Sequence, residues 1–514
     1  MFQLREHGTT VLTEVRGGLV TFLTLSYILF VQPAILSAAG MPQNDVFVAT
    51  CVASAIGCFL MAFLANYPIA LAPAMGHNIF FVFTVCLGMH FAWQEALAAT
   101  LFSGVVFMFV SLFGLREAVM NAVPEGLKYA IAVGIGLLIA FVGLQYGGLV
   151  QKDPAMLVKL GDLTSPVALV VLAGIGLVAV LAAVRFKGAV LVGIIGTLIL
   201  AWAVSASGLP YHQPEGLEVI PASQLEVRAR ATKGQPESVT PVPPGDVRII
   251  LAEPKHADSL IQRVISLPDW PRKTLLAVDP VGLVRHHRPV DVLLVVFIIF
   301  FLALFDTVGT LIGVGERAGL LDAQGRLPRA TQALFSDAAG TVVGSLLGTS
   351  TITAYVESAA GVASGARTGL ASIVTGVLLL ASLALAPLVQ MVGAGAHLVR
   401  VGTGEDLVQV AAGSATVVTF YPVIAPVLVL VGVIMMGSVR RIPWDDYAEA
   451  IPAFLTIVVM QFSLSITDGI AWGFISYAIL KVATRRTRDM HWLVWLFAVL
   501  FIAQYVARAL LRPA

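Results

Sequence analysis

From Val46 to Gln94 the chain carries no Asp, Glu, Lys or Arg, and this run fixes the class of fold. A helix needs about 20 apolar residues to cross the hydrocarbon core of a bilayer, so the run is long enough for two crossings. Similar apolar stretches recur along almost the whole sequence. Of the 514 residues, 58% are hydrophobic and 12% charged, and the mean hydropathy is +0.91. A soluble domain is roughly one-quarter charged. The chain therefore reads as an all-α polytopic membrane protein in contact with lipid. The net charge is +1 and nearly all the charges fall in connections, so no nucleic-acid partner is expected. Cys51, Cys58 and Cys86 fall inside apolar segments without a ligand cluster; they read as small buried hydrophobes, and no metal site is expected.

Candidate spans lie near residues 19–36, 47–64, 69–88, 96–114, 124–144, 166–184 and 188–207, then near 290–313, 334–348, 349–365, 369–391, 414–437, 450–464 and 468–481. This gives about fourteen segments, seven in each half (1–208 and 290–514). The polar stretch 209–289, with PESVTPVPPGD in its middle, reads as an extracytoplasmic linker that includes a strand such as VRIILAE. Lys and Arg favour the cytoplasmic side of short loops. A cytoplasmic N-terminus puts Arg116 with Lys128, Arg185 with Lys187, Arg317 with Arg326 and Arg329, Arg367, and Arg440 with Arg441 on that side. Lys152, Lys159 and Arg400 fall on the other. A cell (inner) membrane location follows. The last helical pair is read as broken at SITDG (465–469), and the apolar run 491–506 as either a further span or an interfacial helix.

An odd number of spans per half makes a repeat inverted in the membrane. LFVQPAIL (29–36) and LFDTVGTL (304–311) predict a matching break, at Pro33 in one and Gly309 in the other. Further on, YPIALAPAMGHN (67–78) and GTSTITAYVESAAG (348–361) carry matching interruptions. Irregular backbone survives in a bilayer only where protein or a cavity satisfies its polar groups. TSTIT is β-branched and suits a short extended piece, AYVESAAG can begin a half-helix, and PIALAP followed by AMGHNIFF reads the same way. Two strands pairing in spans 3 and 10 would leave two half-helix N-termini facing one pocket.

Two carboxylates mark that pocket. Glu357 is the only charged side chain between Asp337 and Arg367, and Asp306 the only one from Val292 to Gly315. An ionised group at a helix centre costs roughly 2.5 to 3.5 kcal/mol on insertion scales, and no Lys or Arg lies in these spans to offset it. An acid held in an apolar span is what a proton-coupled carrier needs. Asp337, Asp468 and Arg367 are read as sitting at segment ends, where capping and topology explain them.

The motifs FDTVGTLIGVGERAGLLD, GTSTITAYVESAAGVASGARTG, PAFLTIVVMQFSLSITDGIAWGFISY, TEVRGGLVTFLTLSYILFVQPAIL and ALAPAMGHNIFF resemble the adenine/guanine/hypoxanthine permease (AzgA-like) branch of the nucleobase–cation symporter 2 family. The resemblance covers nearly the whole chain apart from about 215–260. It implies fourteen segments in two inverted repeats, with a core domain (18–114 and 290–391) moving against a gate domain (124–207 and 414–508). It also implies purine substrates, proton symport and a homodimer. Carried over residue by residue, it makes Asp306, Glu357 and Asn78 the site residues, with Asp306 and Glu357 coupling the proton. The chain departs from the branch at Gln32 (NPAIL in the branch), at Ala74, His77 and Ile79 (GMGLNA), and at Gln461 (MPF). His77 thus adds a group able to hydrogen-bond or titrate.

Thr351 and Thr353 are expected to line the pocket, and Tyr355 and Phe80 to stack on a flat ring, although an aromatic in a span packs in the core more often than it binds. The expectation is a carrier of purine bases with no cofactor beyond the coupling proton and no catalytic residues. Three alternatives stay open at this point: a carrier of uracil, xanthine or an anion on the same fold, a channel, and, least favoured, an intramembrane enzyme, for which the spans hold no Ser/Lys dyad or His/Glu metal pair.

Overall fold

The computed structural model describes residues 2–112, 124–153, 157–186, 188–207, 217–221, 247–251, 266–320, 327–393, 396–400, 406–411, 420–487 and 490–510. Arg116, Lys187, Arg326 and the Pro-rich piece of the linker lie outside these. In chain order, α1 (Val11–Leu25) and α2 (Ile28–Ser37) are followed by α3 (Gln43–Leu60), β1 (Leu71–Pro73), α4 (Met75–Ile79) and α5 (Trp93–Leu112). Next come α6 (Glu125–Tyr146), the hairpin β2 (Val150–Asp153) and β3 (Leu157–Leu160), α7 (Pro166–Ala183), α8 (Ala189–Ala206), β4 (Leu217–Pro221) and β5 (Val247–Ile250). The second half runs through α9 (Pro280–His286), α10 (Pro289–Ala318), α11 (Ala330–Leu347), β6 (Ile352–Ala354), α12 (Ser358–Ala363), α13 (Gly369–Ala381) and α14 (Ala386–Gly393). It closes with β7 (His397–Arg400), β8 (Asp406–Ala411), α15 (Ala425–Met435), α16 (Tyr447–Ser463), α17 (Ile466–Ala483) and α18 (Trp492–Leu510). Among the described residues, eight helical stretches are long and apolar enough to cross a membrane.

The chain packs as two units. One is formed by Met1–Ile139, Leu267–Ala386 and Val431–Ala514, and holds both broken spans. Bare glycines bring its helices together: a Cβ on Gly18 would run into the Ala371 carbonyl and Val374, so α1 lies directly against α13. At α18, Phe497 sits between Phe297 of α10 (ring centroids 4.5 Å apart) and Phe474 of α17 (5.3 Å). The run 491–506 is thus a packed helix. Leu464, in the left-handed region at φ 50°, ends α16, and the Ser465 hydroxyl accepts from the Asp468 N–H to start α17, so the break at SITDG is present.

The end of the linker is fastened to this unit. The Lys273 N–H donates to Asp45 Oδ2 at 2.8 Å and the Asp279 N–H to the Gln94 carbonyl at 3.1 Å. Glu95 lies 2.6 Å from His286 Nδ1 and 2.8 Å from His287 Nε2.

The other unit, Ala140–Ser266 with Pro387–Leu430, holds α7, α8 and the β2–β3 hairpin. It also holds an antiparallel four-stranded sheet in the order β4-β8-β7-β5. VRII is a strand as expected, but its partner is His397–Arg400, from a loop more distant in sequence.

Four expectations need correction. Pro33 lies inside α2, and the first span instead breaks at Ser26–Tyr27; the helix continues through the proline although its ring removes one backbone N–H, in a segment buried from Ile28 to Leu36. α10 runs unbroken through Gly309; the rest of a 30-residue helix outweighs the roughly 1 kcal/mol that one glycine costs. The segment 369–391 is interrupted by a 3₁₀ turn at Ser382–Ala384, and the helix expected from residue 414 begins at Ala425.

Candidate functional site

The expected interruptions are strands. Leu71 faces Ala354, Ala72 faces Thr353 and Pro73 faces Ile352 in antiparallel register. Sequence explains each strand. The residue before a proline is driven toward extended backbone, which suits Ala72 before Pro73, and β-branched Thr351, Ile352 and Thr353 favour the same region. The ladder extends past both ends, with the Ala74 N–H donating to the Thr351 carbonyl at 3.1 Å and the Tyr355 N–H to the Ala70 carbonyl at 2.9 Å. Side chains satisfy what remains: Thr341 Oγ1 donates to the Ile352 carbonyl at 2.8 Å, and Ser358 Oγ accepts from the Ala70 N–H at 3.0 Å. Since each unpaired backbone group in an apolar layer costs several kcal/mol, this pairing is what allows two spans to break there.

Glycine lets the surrounding helices reach the ladder. A Cβ on Gly57 would stand 3.0 Å from Leu71 Cβ, and one on Gly340 3.0 Å from Ile352 Cγ2. β1 leads into α4, which continues as a π-helical turn over Phe80–Gly88, and β6 leads through Tyr355 and Glu357 into α12.

The acids stand on elements of the second half of the chain. Glu357, half-buried, precedes α12 and accepts from the Tyr27 hydroxyl at 2.8 Å. Asp306, midway along α10 and exposed, accepts from Thr353 Oγ1 at 3.3 Å. The two lie close enough for their charges to interact. Among the described residues neither forms an ion pair with Lys or Arg, so neutral hydroxyls, and no cation, hold them.

The other expected site residues are buried. Thr353 is wholly enclosed and binds Asp306; Thr351 offers its carbonyl to Ala74. The Tyr355 hydroxyl donates to the Pro73 carbonyl at 2.5 Å, bracing the ladder. Phe80 is fully enclosed. Both ends of the Asn78 amide are taken up, by Gln32 and by Ser350. His77 is 5% exposed, and neither ring nitrogen has a hydrogen-bond partner among the described residues.

Two residues escaped the sequence reading. Tyr27 had only its position beside the first break as a signal. Asp337 was read as a segment end, yet α11 begins at Ala330 and puts it two turns inside, 0% exposed. Thr307 Oγ1 donates to Asp337 Oδ2 at 2.7 Å, and Asp306 lies close enough for its charge to act on Asp337. Three carboxylates therefore cluster beside one strand pair, two of them accessible and one sealed behind.

Apolar helices of spanning length around two broken spans, with acids at the break, define a multi-pass membrane protein with an intramembrane polar site. The family model described as "Permease family" (Xan_ur_permease) matches residues 12–222 and 283–403, and the chain belongs to this permease family. It is 37% identical to the adenine permease AdeP of Escherichia coli over 506 residues, covering 98% of this chain and 95% of that protein. It is 36% identical to the guanine/hypoxanthine permease PbuG of Bacillus subtilis over 514 residues, covering 98% of each. The transmembrane domain of the cyanobacterial bicarbonate transporter BicA shares the fold, with a TM-score of 0.53 at 14% identity, covering 90% of this chain and 96% of that one.

Proposed function

We propose that this protein imports a purine nucleobase, adenine, guanine or hypoxanthine, by proton symport through alternating access. The observation that carries the substrate class is the full-length similarity to adenine and guanine/hypoxanthine permeases. The chemistry of the acids supports it. A neutral purine presents ring N–H donors, ring nitrogen acceptors and a flat face; Glu357 and Asp306 are acceptors held by hydroxyls, suited to such donors. A base with the wrong donor pattern leaves buried groups unpaired, which is the strongest means of discrimination a site has. Glu357 or Asp306 exchanges the coupling proton, and no other cofactor takes part.

In this reading Thr351, Thr353, Tyr355, Phe80, Asn78 and His77 form the enclosing wall. Fourteen spans make two inverted repeats, and the core segments 18–114 and 290–391 move against the gate segments 124–207 and 414–508. The protein sits in the cell (inner) membrane with a cytoplasmic N-terminus, as a homodimer.

The test is uptake of radiolabelled adenine, guanine and hypoxanthine into proteoliposomes under an imposed proton gradient. Saturable accumulation that collapses with a protonophore, and is lost in Glu357→Gln, is expected. Uptake that does not saturate, or normal accumulation by Glu357→Gln, overturns the reading.

A further inference from the structure

Gln32 lies in α2 just before Pro33 and is 0% exposed. Its Nε2 donates to Thr349 Oγ1 at 2.9 Å and to Ser350 Oγ at 3.0 Å. Its Oε1 accepts from Asn78 Nδ2, and Ser350 Oγ in turn donates to Asn78 Oδ1. These bonds close a ring through Gln32, Ser350 and Asn78. The Thr349 hydroxyl extends it, lying 3.2 Å from the Thr50 hydroxyl.

The ring couples its two amides. Flipping Gln32 or Asn78 alone would set donor against donor or acceptor against acceptor, so each amide fixes the orientation of the other and of the Ser350 hydroxyl. All of these side chains are buried, in surroundings where a half-satisfied polar network is worse than none. The ring ties four pieces of chain together: α2, α3, the start of α4, and the residues entering β6. The last two adjoin the ladder at the Ala74–Thr351 bond, which is where one broken span of each repeat meets the other.

We propose that Gln32 is a positioning residue for purine selection. Through the ring it fixes the Asn78 rotamer and the start of α4 against the β6 entry, so that this side of the pocket is held in a single arrangement. Asn78 then acts by holding the wall and leaves the base to the acids. The assignment rests on the purine reading above and deepens it. Reach matters as much as polarity: Asn at position 32 is one methylene shorter and leaves Asn78 Nδ2 and Ser350 Oγ without their partner.

The test compares unmodified protein, Gln32→Ala, Gln32→Asn, Asn78→Ala and the Gln32→Ala/Asn78→Ala double variant. Each is purified, checked for thermal stability and reconstituted at equal protein content. Initial rates with labelled adenine, guanine and hypoxanthine give KM and kcat for each. The expected result is a KM raised about tenfold, with kcat within about threefold, in both Gln32 variants, because misplacing a binding group costs affinity first. The ratio of KM values between bases shifts as well, and the double variant matches the single ones, as coupled residues require. A purely structural role lowers folded yield and leaves the KM ratios alone. Unmoved ratios, additive effects or full rescue by Asn overturn the assignment while leaving purine transport intact. Absence of uptake of all three bases by the unmodified protein overturns the purine reading and the assignment with it.

Discussion

The broken span in the first half of the chain and that in the second have the same backbone plan, a three-residue strand running into a short helix, and opposite chemistry. After β1 the polar group is Asn78, sealed and bonded at both ends of its amide. Following β6 it is Glu357, half-buried and held on one side by Tyr27. Asp306 adds a second open acid to that side and Asp337 a buried third. The two broken segments thus share a backbone plan and differ in their side chains: in one the polar group is sealed in a ring, in the other carboxylate acceptors stay open. Asn78 brings no net charge into the apolar layer and can be closed into a neutral ring. Glu357 and Asp306, if sealed without cations, would carry the heavy desolvation cost of unpaired buried charge; an opening to water or a ligand offsets it.

Several substitutions sharpen or break this contrast. The largest effect belongs to the open acids: in the proposed reading Asp306→Asn removes a charged acceptor of a base N–H, and losing a hydrogen bond to a charged group costs about 1.5–3 kcal/mol. Initial-rate uptake should therefore show KM raised about tenfold to a hundredfold. An unchanged KM would remove Asp306 from the binding set.

Asp337→Ala comes next. It strips Thr307 of its acceptor in a sealed interior, so unfolding stability in detergent should fall by about 1–3 kcal/mol; a neutral effect would mean that Asp337 is no part of the packed support. Tyr27→Phe keeps the ring and deletes the donor to Glu357, with an expected rise in KM of about fivefold to tenfold. No change would mean that Glu357 is oriented by backbone alone. The smallest expected effect is Gly340→Ala, whose added methyl crowds Ile352 of the ladder at 3.0 Å and should cost about 1 kcal/mol of stability by overpacking. A stabilising outcome would show that the helix and ladder have room between them.

The legible parts of this molecule are those where chemistry and local sequence coincide. Glu357 and Asp306 stand out as lone charges in apolar runs, and the strands announce themselves through TSTIT and the prolines of PIALAP. Asp337 was missed because a hydropathy window finds where an apolar stretch lies and not how far a helix extends before it; the polar start of α11 hid two turns. Pro33 and Gly309 are expected to break spans, yet one helix-breaking residue is outweighed where the rest of the segment stays helical. The Gln32–Ser350–Asn78 ring joins residues distant in sequence, and nothing local to any of them points to the others. β7 and β8 escaped for the same reason: strands in the two long connections find each other only once the chain has folded.

The most direct test of the central claim is thermal stabilisation of the purified protein by adenine, guanine, hypoxanthine, xanthine and uracil, with and without Glu357→Ala. A ligand at about 100 times its Kd stabilises the folded state by about 2.7 kcal/mol through mass action, which a melting curve resolves. The account predicts a shift with one or two purines, absent in Glu357→Ala. A purine shift that survives Glu357→Ala, or a folded protein that no purine stabilises, would contradict it.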